Sequence, residues 1–453
     1  METPPETVLT VAPPRVTGLR KLFAPAPPAA VTLTDPAEID HAYRSWRRQI
    51  LITTIIGYAM FYFVRKNLGI AMPMMSKDLG ITKSDLGLFL TLHGVLYGLS
   101  KFVNGPLADR SNARSFLVVG LVASALMNIF FGLASATVTL GVVWMLNGWF
   151  QGMGFPPCAR LMTHWFPPRE LATKMSLWNT SHSIGAGLVV VLCGYLVVID
   201  WRLCFFVPAL LALLGAVYLW MTLADTPESV GLPEAEGTHL PKATEESGDD
   251  FKAFVMENVF RNKYIWIIGS ANFFVYIIRY AVLDWGPTLL TEAKGVKLIH
   301  AGWMVAAFEI SGVAGMLLGG WLTDRVFGGR GSRACLFYMA LAGLSIFLFW
   351  QLPARFNLLS TALLCSAGFF IYGPQALIGI IGANLATKRA AATAGGLTGL
   401  FGYASTVLSG WGLGTLVQHY GWDAGLLALV MASVIGTLLF AAAWKAKAHG
   451  YAE

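Results

Sequence analysis

The chain has 453 residues, 56% of them hydrophobic and only 13% charged, with a mean hydropathy of +0.61. A soluble domain carries about a quarter charged residues, so this composition excludes an ordinary water-soluble fold and points to lipid. The formal net charge of +7 comes from bases scattered through short loops rather than gathered in one patch, which argues against a nucleic-acid partner.

In chain order, residues 1–43 contain "APPRV" and "FAPAPPAA" and read as a disordered cytoplasmic tail. The first apolar run begins near Ile50, too far in for a cleavable signal peptide. After the basic knot "YRSWRRQ", twelve apolar runs follow, at about 50–72, 86–106, 115–135, 139–160, 172–198, 203–223, 264–288, 299–323, 334–352, 357–383, 391–417 and 424–444. Each is roughly the length of helix that crosses about 30 Å of hydrocarbon. Between runs six and seven lies the acidic, Pro-bearing "DTPESVGLPEAEGTHLPKATEESGDD". The chain therefore divides into a tail, an N-terminal six-helix bundle (44–224), a cytoplasmic linker (225–262) and a C-terminal six-helix bundle (263–453). Lys and Arg concentrate in alternate loops, among them Arg110, Arg114, Arg325, Arg330 and Arg333, and their bias puts both termini in the cytoplasm. Cys158, Cys193, Cys204, Cys335 and Cys365 show no CxxC spacing and no disulfide framework.

The two halves repeat each other. "GPLADRSNAR" follows run two and "GGWLTDRVFGGRGSR" follows run eight, with Asp109 and Asp324 separated by 215 residues (324 − 109). Trp201 and Trp422, opening runs six and twelve, are 221 apart (422 − 201), and Arg65 and Arg279 are 214 apart (279 − 65). A duplicated six-span unit implies a site between two bundles. The loops Gly105–Asp109–Arg110 and Asp324–Arg325 resemble the signature loop of the major facilitator superfamily. That predicts an all-α membrane fold of twelve transmembrane helices in two pseudo-symmetric bundles.

Charges inside the spans mark the chemistry, because an Arg or Lys at mid-bilayer costs about 2.5–3.5 kcal/mol and must face a cavity or a partner. Tyr58, Tyr62 and Arg65 are spaced to share one helix face, and Asn272, Tyr276 and Arg279 repeat the arrangement in run seven. Tyr97 with Lys101, and Asn179 with His182, are further polar pairs at helical spacing. Guanidinium matches phosphate or carboxylate by parallel hydrogen bonds, so two Args from opposite bundles can clamp one dianion. Lys66 points about 100° away from Arg65 on a regular helix and needs its own partner. We expect Lys66 to pair with Asp284, and Glu309 with His182 or Lys101, as ion pairs that break and remake during gating. An ion pair within a bundle is the structural alternative for the two arginines, and snorkelling for Lys101.

"GYAMFYFVRKN", "YGLSKFVNGPLADRSNAR", "GMGFPPCARLMTHWF", "LWNTSHSIGAG", "FFVYIIRYAVLDWGPT", "IYGPQALIGI" and "AGGLTGLFGY" together resemble the organophosphate:inorganic-phosphate antiporter family of that superfamily, from about Tyr43 onward. The resemblance implies that Arg65 and Arg279 hold phosphate and that Tyr58, Tyr62, Tyr97, Lys101, Asn179, His182, Tyr276 and Tyr403 line the cavity. It makes Glu309 a charge partner of the site. "DHAYRSWRRQILIT" and "SGWGLGTLVQHYGW" look most like the hexose-phosphate branch. Within that branch the carrier bears an acid–base pair in run eleven, whereas "ASTVLSGWGLG" is uncharged. Two functions stay open: exchange of a sugar phosphate, expected to be hexose 6-phosphate, for inorganic phosphate, or a transporter-like sensor acting on a membrane histidine kinase. A monomer in the bacterial inner membrane is expected. No nucleophile–base spacing, HExxH or phosphate-binding Gly loop suggests an enzyme, and His93, His164 and the other histidines lack metal-ligand spacing, so no cofactor or metal is expected.

Overall fold

The structure is a computed structural model that describes residues 22–234, 253–355 and 357–446. Its first half contains α1 (Pro36–Phe63), α2 (Leu68–Leu79), α3 (Lys83–Asp109), α4 (Ala113–Leu133), α5 (Thr137–Gln151), α6 (Phe155–Trp165), α7 (Pro168–Leu196) and α8 (Leu203–Thr222). The second contains α9 (Lys263–Lys294), α10 (Leu298–Arg325), α11 (Gly331–Gln351), α12 (Asn357–Leu385), α13 (Thr387–Ala404) and α14 (Leu413–Ala442), with a π-helical segment, Val407–Gly412, joining the last two. Four of the helix starts are set by side-chain caps. Asp35, Thr82, Asn112 and Asn262 each accept a hydrogen bond from a backbone N–H of the first turn they precede.

Among the described residues nine helical stretches are long and apolar enough to cross a membrane. The last of them, Thr393–Ala442, turns back at Gly421, whose φ of +78° only glycine adopts freely, and so supplies two crossings. The α1–α2 and α5–α6 pairs are crossings broken in the middle. The result is twelve crossings in two sets of six, an all-α membrane fold.

Within the first set α1 packs on α7 and α8, α3 on α5, and α4 on α5 and α8. In the second, α10 and α11 pack on α12, and α9 on α13 and α14. The sets meet through α2 on α9, α7 on α10, and α3 on the π segment and α14. These contacts lie toward the face opposite the termini, hereafter the distal face. There Lys83 Nζ reaches Glu292 (3.2 Å) and Ser84 Oγ meets Thr415 Oγ1 (2.8 Å). On the terminal face a Cβ added at Gly395, Gly396 or Gly399 would meet open space. The molecule is closed distally and open toward its termini.

The tail differs from its sequence reading. Residues 1–21 lie outside the described residues, but those from 22 onward are half-exposed and tied to the rest of the molecule at several points. Phe23 sits edge-on to Phe116 (5.9 Å), and its carbonyl accepts from Asn112 N–H. Ala26 N–H donates to Asp225, Ala29 N–H to Glu228 O, and Leu33 N–H to Gly231 O. Helix α1 then starts at Pro36, before the apolar run. Proline-rich composition leaves no internal core, but the start of the linker supplies the missing hydrogen-bond partners.

Candidate functional site

The site begins with the break between α1 and α2. Helix α1 stops at Phe63, and the Val64 carbonyl, freed from the helical ladder, accepts from Asn128 Nδ2 (2.8 Å) and Asn147 Nδ2 (2.9 Å). Asn67 completes the cluster by donating to Asn128 Oδ1 and to the Cys204 carbonyl, both at 2.8 Å. Broken backbone at membrane depth is tolerated only where protein groups satisfy it, and these three buried asparagines do so. Arg65 therefore sits in a kink, not on the regular face that its spacing from Tyr58 and Tyr62 suggests.

Arg65 is held by aromatic rings. Its Nη2 donates to Tyr62 Oη (3.1 Å), and its guanidinium lies 4.4 Å from the Tyr62 ring centre and 4.6 Å from that of Tyr97. Tyr58 Oη is 3.5 Å from Tyr97 Oη, and the Tyr58 ring packs on His182 and Trp178, each at 4.8 Å. His182 Nδ1 lies 2.7 Å from the Asn179 carbonyl of its own helix, which leaves Nε2 for another partner; the Asn179 side chain is exposed. Lys101 Nζ donates to Tyr403 Oη (3.2 Å) across the two halves and lies 3.8 Å from the Phe155 ring centre.

Arg279 comes from the unbroken helix α9 and is only 3% exposed. Its guanidinium faces Tyr372 (4.8 Å), Tyr280 (5.8 Å) and Tyr276 (5.9 Å), and its Nε has no hydrogen-bond partner among the described residues. Lys66 Nζ lies 2.6 Å from Asp284 Oδ1 and 4.9 Å from the Tyr280 ring, so that ring is shared between the cations of the two halves. Glu309 is fully buried, and its placement corrects the expected pairing: it accepts a hydrogen bond from Tyr372 and forms no ion pair with His182 or Lys101. The reason is packing, since α10 lies against α12, which carries Tyr372, while Lys101 is engaged by Phe155 and Tyr403.

Two cavities meet at Tyr403. A small one of about 30 Å³ is lined by Arg65, Lys66, His93, Tyr97 and Asp284. A larger one of about 400 Å³ is lined by Lys101, Asn272, Tyr276 and Gln375. Among the described residues, Arg65, Lys101 and Arg279 form no ion pair. Three cations held by rings and hydroxyls, with one buried carboxylate taken up by Tyr372, make an anion-attracting centre.

The signature-loop residues lie away from it. Gly105 borders open space, Arg110 and Arg325 are exposed, and the side chains of Asp109 and Asp324 lie outside the described residues. Sequence reading missed Tyr280, Tyr372 and the Asn67–Asn128–Asn147 cluster. Tyr372 stands within the quoted "IYGPQALIGI", and Tyr280 directly follows Arg279, so both carried a usable signal. The asparagines did not, because only the fold brings three spans to one carbonyl.

A model of the Major Facilitator Superfamily matches residues 54–410. The glycerol-3-phosphate transporter of Bacillus subtilis is 39% identical over 435 residues, covering 93% of this chain and 97% of its own. The "Probable hexose phosphate transport protein" of Chlamydia trachomatis is also 39% identical, covering 94% of this chain and 97% of its own. The chain belongs to the major facilitator superfamily, in its organophosphate:inorganic-phosphate antiporter family. The chain is also similar to the membrane sensor protein UhpC of Salmonella typhimurium, 38% identical over 92% of this chain and 96% of its own. The fold also matches solved facilitator-type structures. A bacterial homologue of the human lysosomal transporter Spinster, in an inward-facing and unoccupied conformation, superposes with a TM-score of 0.74 at 16% identity, over 88% of this chain and 97% of its own.

Proposed function

We propose that this family member exchanges a sugar phosphate for inorganic phosphate by alternating access. One observation carries the reading: half-buried Arg65 and buried Arg279, contributed by opposite halves, sit in an aromatic lining and, among the described residues, form no ion pair. A phosphoryl dianion supplies the missing charge, and each planar guanidinium can grip two of its oxygens. Binding draws the halves together around the shared anion, and the empty cations resist closing over a dry cavity. The 400 Å³ cavity beside the clamp, lined by Lys101, Asn272, Tyr276 and Gln375, gives the organic moiety room and polar partners. Relatives described as hexose phosphate and glycerol-3-phosphate transporters support a phosphorylated polyol or sugar, and we take hexose 6-phosphate as the substrate. In this reading the termini face the cytoplasm of a bacterial inner membrane, the protein works as a monomer, and the structure is the inward-open state.

Labelled glucose 6-phosphate uptake into proteoliposomes, with and without internal phosphate, tests the reading. Uptake should require internal phosphate and collapse in Arg279→Lys, which keeps the charge but loses the planar fork. The similarity to a sensor keeps one rival: high-affinity binding of the same ligand without exchange would assign a receptor role instead.

A further inference from the structure

The π segment Val407–Gly412 lies on the distal seam between the halves. π-helical turns are rare and concentrate at functional sites. In this one, Thr91 of α3, from the other half, inserts its hydroxyl into the backbone ladder. Thr91 Oγ1 donates to the Thr406 carbonyl (2.8 Å) and accepts from the Trp411 N–H (2.9 Å). A single side chain thus occupies a donor and an acceptor that a regular helix would pair within itself.

The surroundings are built for this insertion. Gly87, Thr91, Gly94 and Gly98 recur on one face of α3 and abut Gly410, Thr406 and Tyr403. A Cβ at Gly87 would come within 2.5 Å of the Gly410 carbonyl oxygen, and one at Gly410 within 2.6 Å of Thr91 Oγ1. Trp285 Nε1 holds the segment from its other side by donating to the Ser409 carbonyl (3.0 Å). Its neighbour Asp284 carries the ion pair to Lys66. A chain of direct contacts therefore runs from the cation next to Arg65, through Asp284 and Trp285, to the seam.

We propose that Thr91 is the positioning residue that latches the distal closure, and that the π segment is the element it holds. When the halves part distally, Thr91 withdraws, and the Thr406 carbonyl and Trp411 N–H must be met within their own helix. The segment then anneals to α-helix. The latch rests on the alternating-access reading but on no particular substrate.

The test uses the full-length protein in lipid nanodiscs, with spin labels at Lys77 in the first half and His419 in the second, both exposed near the distal face. The comparison is Thr91→Val, which keeps shape but removes the hydroxyl, against Thr91→Ser, which keeps it. The expected result is a rise of about tenfold in the ratio of distally separated to closed molecules in Thr91→Val, the size of effect that loss of a net-stabilising hydrogen bond gives, with Thr91→Ser near wild type. Amide exchange at Trp411 should change in parallel. Distance distributions unchanged by Thr91→Val, or shifted equally by Thr91→Ser, would overturn the latch. Thr91→Ala makes the same comparison should the valine variant fold poorly. Sugar-phosphate and phosphate exchange is measured separately on wild type. Loss of exchange there, with the distance shift intact, would overturn the proposed substrates and leave the latch standing.

Discussion

At the scale of single residues, the cations divide by partner. Lys66 and Asp284 neutralise each other in a nearly dry seam, with side-chain exposures of 7% and 14%. Removing one member strands the other, so Lys66→Gln or Asp284→Asn should each cost about 3–5 kcal/mol of stability. The apolar double replacement Lys66→Met with Asp284→Leu should recover most of it. Unfolding midpoints in one detergent, analysed as a double-mutant cycle, measure the coupling. Among the described residues Arg65 and Arg279 form no ion pair, and Arg65→Lys should leave folding near wild type while the proposed exchange falls by at least about tenfold, because the charge persists and the fork does not. Outside the membrane, Asp78 accepts from Trp201 Nε1 (2.9 Å) and faces Arg202 (3.4 Å). The Trp201 hydrogen bond, and after it Arg202, hold its carboxyl below the usual range. A depressed folded value stabilises above the unfolded value and loses that contribution as pH falls through the folded one. Below about pH 4, then, wild type should lose midpoint faster than Asp78→Asn, and the two curves should run parallel at neutral pH.

At the scale of elements, the breaks matter as much as the helices. Spacing on a regular helix placed Tyr62 and Arg65 on one face, and the structure brings them together, but by stopping α1 and capping the Val64 carbonyl with Asn128 and Asn147. No local signal near Val64 announces that stop, since the caps come from two other spans. The segment before α1 teaches the same lesson. Asp225, from the first residues of the linker, accepts from Ala26 N–H, Ala113 N–H and the buried Arg160, tying tail, signature loop and linker into one assembly. Tyr43 adds a hydrogen bond to the Pro233 carbonyl, and burial pushes its hydroxyl up to about 12. Asp225→Asn leaves Arg160 without a countercharge and should destabilise by about 3–5 kcal/mol. Limited proteolysis should then cut near residues 23–33 faster than in wild type.

At the scale of the whole molecule, closure is one-sided. Glycines at the distal seam touch the opposite half, whereas Gly395, Gly396 and Gly399 on the terminal face border open space. A cysteine placed at Gly399 should react readily with a water-soluble maleimide, while one at Gly194, in contact with Ile299 and Leu298, should stay protected. Reversal of that pattern would place the resting protein in the opposite state. Hydrophobic run length, the repeat offset and cations within apolar runs were enough to determine, from sequence, a duplicated helical membrane protein and the cations Arg65, Lys66, Lys101 and Arg279 within its spans. Those signals are local or periodic, and lipid leaves few alternatives to helix for a long apolar run. Only the tertiary structure decided that Glu309 pairs with Tyr372, that residues 23–33 are hydrogen-bonded to the loop before α4 and to the start of the linker, and that Thr91 enters the ladder of another half. Each of those depends on which spans touch, and contact between spans is carried by no single stretch of the chain.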